Sequence, residues 1–299
     1  MVVGITDADG RLDRDCLKTV APYFADPQIA SVQIAVRIAN ATTNLLTRLQ
    51  DMEFVGFSAF VQKARDHLGS SGLGGNGQFT RLSALQELHS TRGGPWRTDA
   101  LAEDLELGLA LVCLGWKTRF CPHTFVAQQG LPHWGALFRQ RTRWIQGHYS
   151  CWPYVSRLAK RPRISFLTRL DLIAYLLLVM AVIVVCLNLI LGLLASFGIV
   201  NVINTFGAFM GHGALHNAFS LAFGALPLIC FMYIYQTHAV HPFRWWELPA
   251  AGVVFTMYTY VWIFATVRAL GRLAIGRRNW VKTPRVTAAE SVDVEATTA

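Results

Sequence analysis

Three groups of residues have the types and spacing for chemistry. Asp7-Ala8-Asp9 puts two carboxylates two positions apart behind the β-branched run from Val2 to Thr6. On a strand, residues i and i+2 project to the same side, and hard carboxylate oxygens presented together suit a divalent cation such as Mg2+ or Mn2+. The plainer reading is an Asx turn closed by Asp9-Gly10. Glu103-Asp104 opens an apolar run that ends at Leu114. A carboxylate in a first helical turn is held ionised by the helix dipole and is placed to accept a proton. Glu103, Asp104 and Glu106 would equally serve as favourable first-turn acids. In Gln140-Arg141-Thr142-Arg143-Trp144, positions three and four apart share a helical face. Gln140 and Arg143 could then bind diphosphate oxygens while Trp144 offers a flat apolar surface to a sugar ring. The alternative is a basic interfacial helix anchored by Trp144.

The elements that must position these groups alternate between strand and helix. Val2 to Thr6 reads as a buried strand delivering its C-terminal residues to a sheet edge. Leu17, Val20 and Phe24 follow at helical spacing. Ile29 to Ile38 returns as a strand, with Val32, Ile34, Val36 and Ile38 alternating against Gln33 and Arg37. Asn44 to Leu68 has the apolar spacing of a long amphipathic helix, which the glycines between Gly69 and Gly77 break. Glu103 to Leu114 is a further helix, ended by Gly115 before a strand from Trp116 to Phe120. The Gln140 to Trp144 group lies on a helix from about Trp134 to Leu158. Such alternation predicts an α/β domain.

Composition divides the chain in two. Of 18 acidic residues, 13 precede Arg161, so acid chemistry belongs to the first half, while a mean hydropathy of +0.35 points to membrane in the second. Leu172 to Gly198 is 27 residues without a formal charge, more than the roughly 20 a helix needs to cross hydrocarbon. Ala214 to Gln236 and Leu248 to Val267 are two further spans, separated by the interfacial Trp245 and Trp246. Ile199 to Gly213 reads as a short or re-entrant fourth segment, which leaves both flanking basic clusters on the cytoplasmic side. The net charge of +9 concentrates beside these apolar segments, as the positive-inside rule and anionic headgroups favour, and not in a nucleic-acid-binding pattern. The six cysteines are dispersed and read as reduced and structural. No cleavable leader is visible before Asp7. His212 and His216 sit at helical spacing in an acid-free segment and read as packing or pore lining. Residues 286–299 read as a disordered tail.

Taken in order, Ile5-Thr6-Asp7-Ala8-Asp9, Gly75-Asn76-Gly77, Ala102-Glu103-Asp104, Gly115-Trp116-Lys117, Gln140 to Trp144 and Trp280 to Arg285 resemble a family 2 glycosyltransferase of the membrane-embedded polysaccharide-synthase type, the group of cellulose, hyaluronan and poly-N-acetylglucosamine synthases. The resemblance covers Val2 to about Arg285. It implies the C-terminal part of a GT-A, Rossmann-like domain over residues 1–160, a transmembrane helical region over 161–270 and a cytoplasmic gating-like segment over 271–285. It further implies Asp104 as catalytic base beside Glu103, and Asp7 with Asp9 as ligands of the metal and of the nucleotide-sugar. Gln140, Arg143, Lys282 and Arg285 would contact the donor as well. Trp144 and the Gly75, Asn76, Gly77 loop would meet the acceptor. Ala102 departs from the usual Thr of the acidic motif, removing a hydroxyl and no carboxylate.

The expected activity is inverting transfer from a nucleotide-sugar, with UDP the expected nucleotide, to a growing glycan at the cytoplasmic face of the plasma membrane. Domains of this type carry several β-α units ahead of the Asp-Ala-Asp strand, so the resemblance implies an N-terminally truncated domain whose missing half comes from upstream sequence or another chain. Two competing readings follow from the same residues. One is a non-catalytic membrane subunit or an inactive fragment lacking half of the donor site. The other takes Asp7-Ala8-Asp9-Gly10-Arg11-Leu12 as the nucleophile loop of a haloacid dehalogenase-type phosphatase, with Arg11 where that loop has Thr.

Overall fold

The computed structural model describes residues 1–161, 164–178 and 226–277. An α/β unit occupies the first part, built on a five-stranded mixed sheet. Its strands are β1 (Val2–Ile5), β2 (Arg11–Leu12), β3 (Ile29–Ile38), β4 (Gln78–Arg81) and β5 (Lys117–Gln128). The order across the sheet is β1-β4-β3-β5-β2. Only the β3/β5 pair is parallel; β1/β4, β3/β4 and β2/β5 are antiparallel.

β3 lies in the middle because its side chains can be buried on both faces. Ile29, Val32 and Ile34 pack with Phe79, Cys121 and Val126. Gln33, expected to face water, is 2% exposed, because the glycine loop before β4 covers its face and bonds its amide. β1 departs from the buried strand expected. It pairs with β4 alone among the described residues and is half-exposed along its length, as an edge strand is. β5 runs through Pro122, well past the expected end at Phe120. The register against β3 jumps from Ile34–Cys121 to Ala35–Phe125, so the proline sits in a bulge, where its missing N–H breaks no ladder bond.

The expected long helix after β3 forms as α2 (Leu45–Gly56), a π-helical stretch over Phe57–Gln62, and α3 (Lys63–Asp66). Its start is fixed by a reciprocal cap: Asn44 Oδ1 accepts from the Thr47 amide and Thr47 Oγ1 accepts from the Asn44 amide. After β4 comes α4 (Leu82–Arg92), and α5 (Glu103–Leu114) closes on Gly115 in the left-handed conformation. The helix expected from Trp134 to Leu158 is two, α6 (Trp134–Ser150) and α7 (Pro153–Ala159), because Pro153 starts a new helix and cannot continue the old one.

Residues 166–178 are helical, and α8 (Leu226–His238) and α9 (Leu248–Ala274) follow. The stretch Trp245–Ala274, 30 residues containing an 18-residue window with a mean hydropathy of 1.6, is the one described helix long and apolar enough to cross a membrane. Most of the expected first span, the Ile199 to Gly213 segment, part of the second span and everything beyond residue 277 lie outside the described residues. α2 packs against α8 and α9 through Leu49, Met52, Val55, Tyr235, Phe255 and Tyr258, which joins the sheet unit to the apolar helices.

Candidate active site

Four segments converge at one end of the sheet: the turn after β1, the loop before β4, the start of α5 and the end of β5. β1 stops at Ile5, so Asp7 and Asp9 are not brought to one side by strand alternation. They stand in a turn closed by the Gly10 amide bonding the Asp7 carbonyl at 2.9 Å, the conformation that Asp and Gly favour. Asp7 is exposed and Asp9 half-buried. Asp9 Oδ2 accepts the Gln129 amide at 3.3 Å.

Asn76 ties this turn to β5. Its Oδ1 accepts the Asp7 amide at 3.1 Å and its Nδ2 donates to Gln128 Oε1 at 2.8 Å. The side chain is 2% exposed, so direct contact with an acceptor would require breaking both bonds. Its geometry is that of a brace. Gln33 holds the same loop from beneath: Oε1 accepts the Gly74 amide at 2.9 Å, and Nε2 donates to the Asn76 carbonyl at 2.7 Å. Gly75 and Gly77 have φ of +74° and +70°, a region in which a Cβ is strained. A Cβ on Gly75 would stand 3.4 Å from Asp104 Oδ2, so the loop lies directly over that carboxylate.

Asp104 lies in the first turn of α5, where helix dipole and charge partners favour ionisation. Burial wins nonetheless. It pushes the pKa up to about 6, the neighbouring Glu103 adds to the rise, and the Leu105 amide and the Arg143 charge oppose it. Near neutral pH such a carboxylate is mostly ionised yet basic enough to take a proton. Glu103 is exposed and acts on the site through its charge. Among the described residues no three His, Cys, Asp or Glu side chains are grouped to hold a metal ion. Asp7 and Asp9 fit the mode in which one or two carboxylates and substrate phosphate oxygens share a Mg2+ or Mn2+.

α6 reaches this region because Gly147 lets it. A Cβ there would stand 2.5 Å from Ala102 Cβ and 2.8 Å from the Ala102 nitrogen, so two small residues bring the helix against the start of α5. Its five-residue motif then splits. Arg143 is half-buried and within electrostatic reach of Asp104. Trp144 packs edge-on to Phe54 and 6.3 Å from Trp262, which leaves part of the indole exposed. Gln140 Oε1 accepts from Arg141 Nη1 at 2.8 Å. Lys282 and Arg285 lie outside the described residues.

Sequence reasoning missed Gln33, Gln128, Glu53 and Arg141. A signal existed for Gln33, a lone amide between valine and isoleucine; the other three contribute through contacts far apart in sequence.

The chain spans about a third of the length of the curated relatives it matches. It is 33% identical over 178 residues to the beta-monoglucosyldiacylglycerol synthase of Synechocystis, covering 59% of this chain and 36% of that protein. It is 32% identical over 148 residues to the probable glucomannan 4-beta-mannosyltransferase 15 of Arabidopsis thaliana, covering 48% and 26%. A solved mannosyltransferase from Pyrobaculum calidifontis, in complex with GDP-Man and Mn2+, aligns with 90% of this chain and 62% of its own at 21% identity and a TM-score of 0.46. The profile of glycosyl transferase family group 2 matches residues 2–271, and the mixed α/β sheet has the GT-A architecture expected of it. This chain therefore belongs to glycosyl transferase family group 2.

Proposed function

We propose that the chain performs inverting transfer of a sugar from a nucleotide-sugar, with a UDP-sugar as donor, to a growing polysaccharide at the cytoplasmic face of a membrane. The observation that carries this reading is the link from the Asp7 turn through Asn76 and Gly75 to Asp104, which spans donor and acceptor ends of a single reaction centre. In this reading residues 1–160 form the catalytic unit, 161–270 the membrane region and 271–285 a gating segment. Belonging to a glycosyltransferase family speaks against the phosphatase alternative.

Asp104 accepts the proton of the acceptor hydroxyl as that oxygen bonds to the anomeric carbon. The bond from that carbon to the diphosphate oxygen breaks on the opposite face, and its electron pair leaves with the diphosphate, so configuration inverts. Asp7 and Asp9 would hold Mg2+ or Mn2+, which when bound supplies positive charge to the departing diphosphate. Arg143 adds charge from α6, and Gln140 offers its amide nitrogen, its oxygen being engaged by Arg141. The free part of the Trp144 indole stacks on the acceptor sugar.

A second reading takes a membrane lipid as acceptor. It is favoured by the exposed apolar side chains of α9, among them Val253, Met257 and Phe264, on the helix that packs beside Trp144, and by the name of the Synechocystis relative. Membranes containing the chain, supplied with radiolabelled UDP-glucose or GDP-mannose, separate the readings. Label in precipitable polymer supports the first, and label in the organic phase the second. Absence of transfer and of donor binding would leave a non-catalytic subunit.

A further inference from the structure

Arg141 and Thr142 are the members of the Gln140 to Trp144 motif that the reaction leaves without a task, and Thr142 only bonds back to the Phe138 carbonyl of its own helix. Arg141 is also the largest side chain with no exposure in the described structure. Three helices meet on its guanidinium. Nη2 donates to Glu53 Oε2 of α2 at 2.7 Å and to the Tyr258 hydroxyl of α9 at 3.4 Å. Nη1 donates to Gln140 Oε1 of α6 at 2.8 Å. The Tyr258 hydroxyl donates to the same Glu53 oxygen. The guanidinium carbon lies 4.1 Å from the Trp144 ring centre and 5.1 Å from that of Trp262.

An apolar side chain could fill this junction at no greater cost, since a buried ion pair recovers little beyond its own desolvation. What a charge set adds is direction. Each hydrogen bond fixes one helix in rotation and height, whereas apolar packing tolerates sliding. The partners are also informative. Of the motif residues assigned to ligands, Gln140 and Trp144 touch Arg141, while Arg143 faces Asp104. α9 and the turn that follows it are held to α6 at a second height, where Arg272 Nε donates to Gln146 Oε1 and Gln146 Nε2 donates to the Arg277 carbonyl, both at 3.0 Å. The membrane-length helix is thus fastened along the motif helix.

We propose that Glu53, Arg141 and Tyr258 are positioning residues, forming a latch through which α9 sets the amide of Gln140 and the indole of Trp144 for sugar transfer. The latch rests on the proposed transferase reading for its catalytic consequence, but not for its effect on Trp144. Orientation of these groups should govern turnover more than donor affinity, because Trp144 meets the acceptor and Gln140 is one donor contact among several, so misplacing them mainly raises the barrier.

The test uses the full chain in lipid nanodiscs, labelled with 5-fluorotryptophan, the Trp144 resonance being assigned by its loss in Trp144→Phe. Tyr258→Phe removes one hydroxyl and keeps the ring packing; Glu53→Gln keeps the shape and removes the charge. Both are expected to move the Trp144 resonance while leaving that of Trp116, which is bonded to Glu87 far from the junction. Both should lower kcat at least tenfold with donor KM within threefold of the parent. An unmoved Trp144 resonance, or a kcat within twofold of the parent, overturns the latch. So does a parallel fall in donor affinity, kcat and melting temperature, which marks a purely structural role. A parent chain that transfers no sugar refutes the transferase reading instead, and the Trp144 resonance alone then decides whether the latch orients it.

Discussion

Replacing Asp104 by Asn should abolish most of the activity and make the protein more stable. Burial raises the Asp104 pKa from 3.8 to about 6. At roughly 1.36 kcal/mol per unit, that is a ceiling of about 3 kcal/mol of strain in the ionised folded state. Asp104 retains some exposure, and water screens part of the effect, so about 1–2 kcal/mol is the expected gain. The sign follows from proton binding. The folded protein holds this proton more tightly than the unfolded chain, so the Asp104 contribution is favourable below about pH 4 and is lost as pH rises through about 6. Asn does not titrate and can still accept the Leu105 amide. The stability difference between variant and parent should therefore be small at pH 4 and reach its full size at pH 8, as read by thermal unfolding in detergent. Transfer should fall by a factor of about 10² to 10⁴, the usual worth of a general base, with donor binding kept. The acid limb of the parent's kcat/KM should lie near pH 6. A variant less stable than the parent at pH 8, or one with the same difference at both pH values, would refute the burial argument. Unchanged turnover would remove Asp104 from the base role.

Asn76→Leu deletes the acceptor of the Asp7 amide and the donor to Gln128 Oε1, a loss of about 1 kcal/mol for each hydrogen bond. With the turn unbraced, the Mn2+ concentration for half-maximal transfer should rise about tenfold, and an unchanged titration would free Asp7 from the loop. Gly77→Ala places a Cβ 2.7 Å from both Ile34 Cγ1 and Val126 Cγ1 at a φ of +70°. It should cost about 1–3 kcal/mol in thermal stability, and an unaltered melting temperature would contradict the close approach. Gly147→Ala forces α6 away from Ala102 and so parts Arg143 from Asp104. We expect about a tenfold lower kcat; normal turnover would separate the two motifs functionally.

The parts of this site that could be read from sequence are those whose meaning is local. A left-handed stop at Gly115 and an acidic first turn at Glu103 define α5 within a dozen residues, and the boundaries observed are those expected. Where a local rule and a tertiary contact compete, the local rule fails. Helix dipole and first-turn position both favour an ionised Asp104, but the loop over it removes water, and desolvation outweighs both. Alternation assigned Gln33 to solvent, but a loop 41 to 43 positions away needed its amide as a two-sided anchor, and so the polar residue was buried. The strand expected to end at Phe120 continues through Pro122 because the bulge opposite Ile34 absorbs the proline. The same logic explains Arg141. By spacing it falls between the ligand-facing members of its motif and has no evident use, since its partners lie 88 and 117 positions away. A motif therefore records which residue types a reaction centre requires. Which of them meets a ligand and which only holds its neighbours depends on the surfaces the remaining helices bring against it.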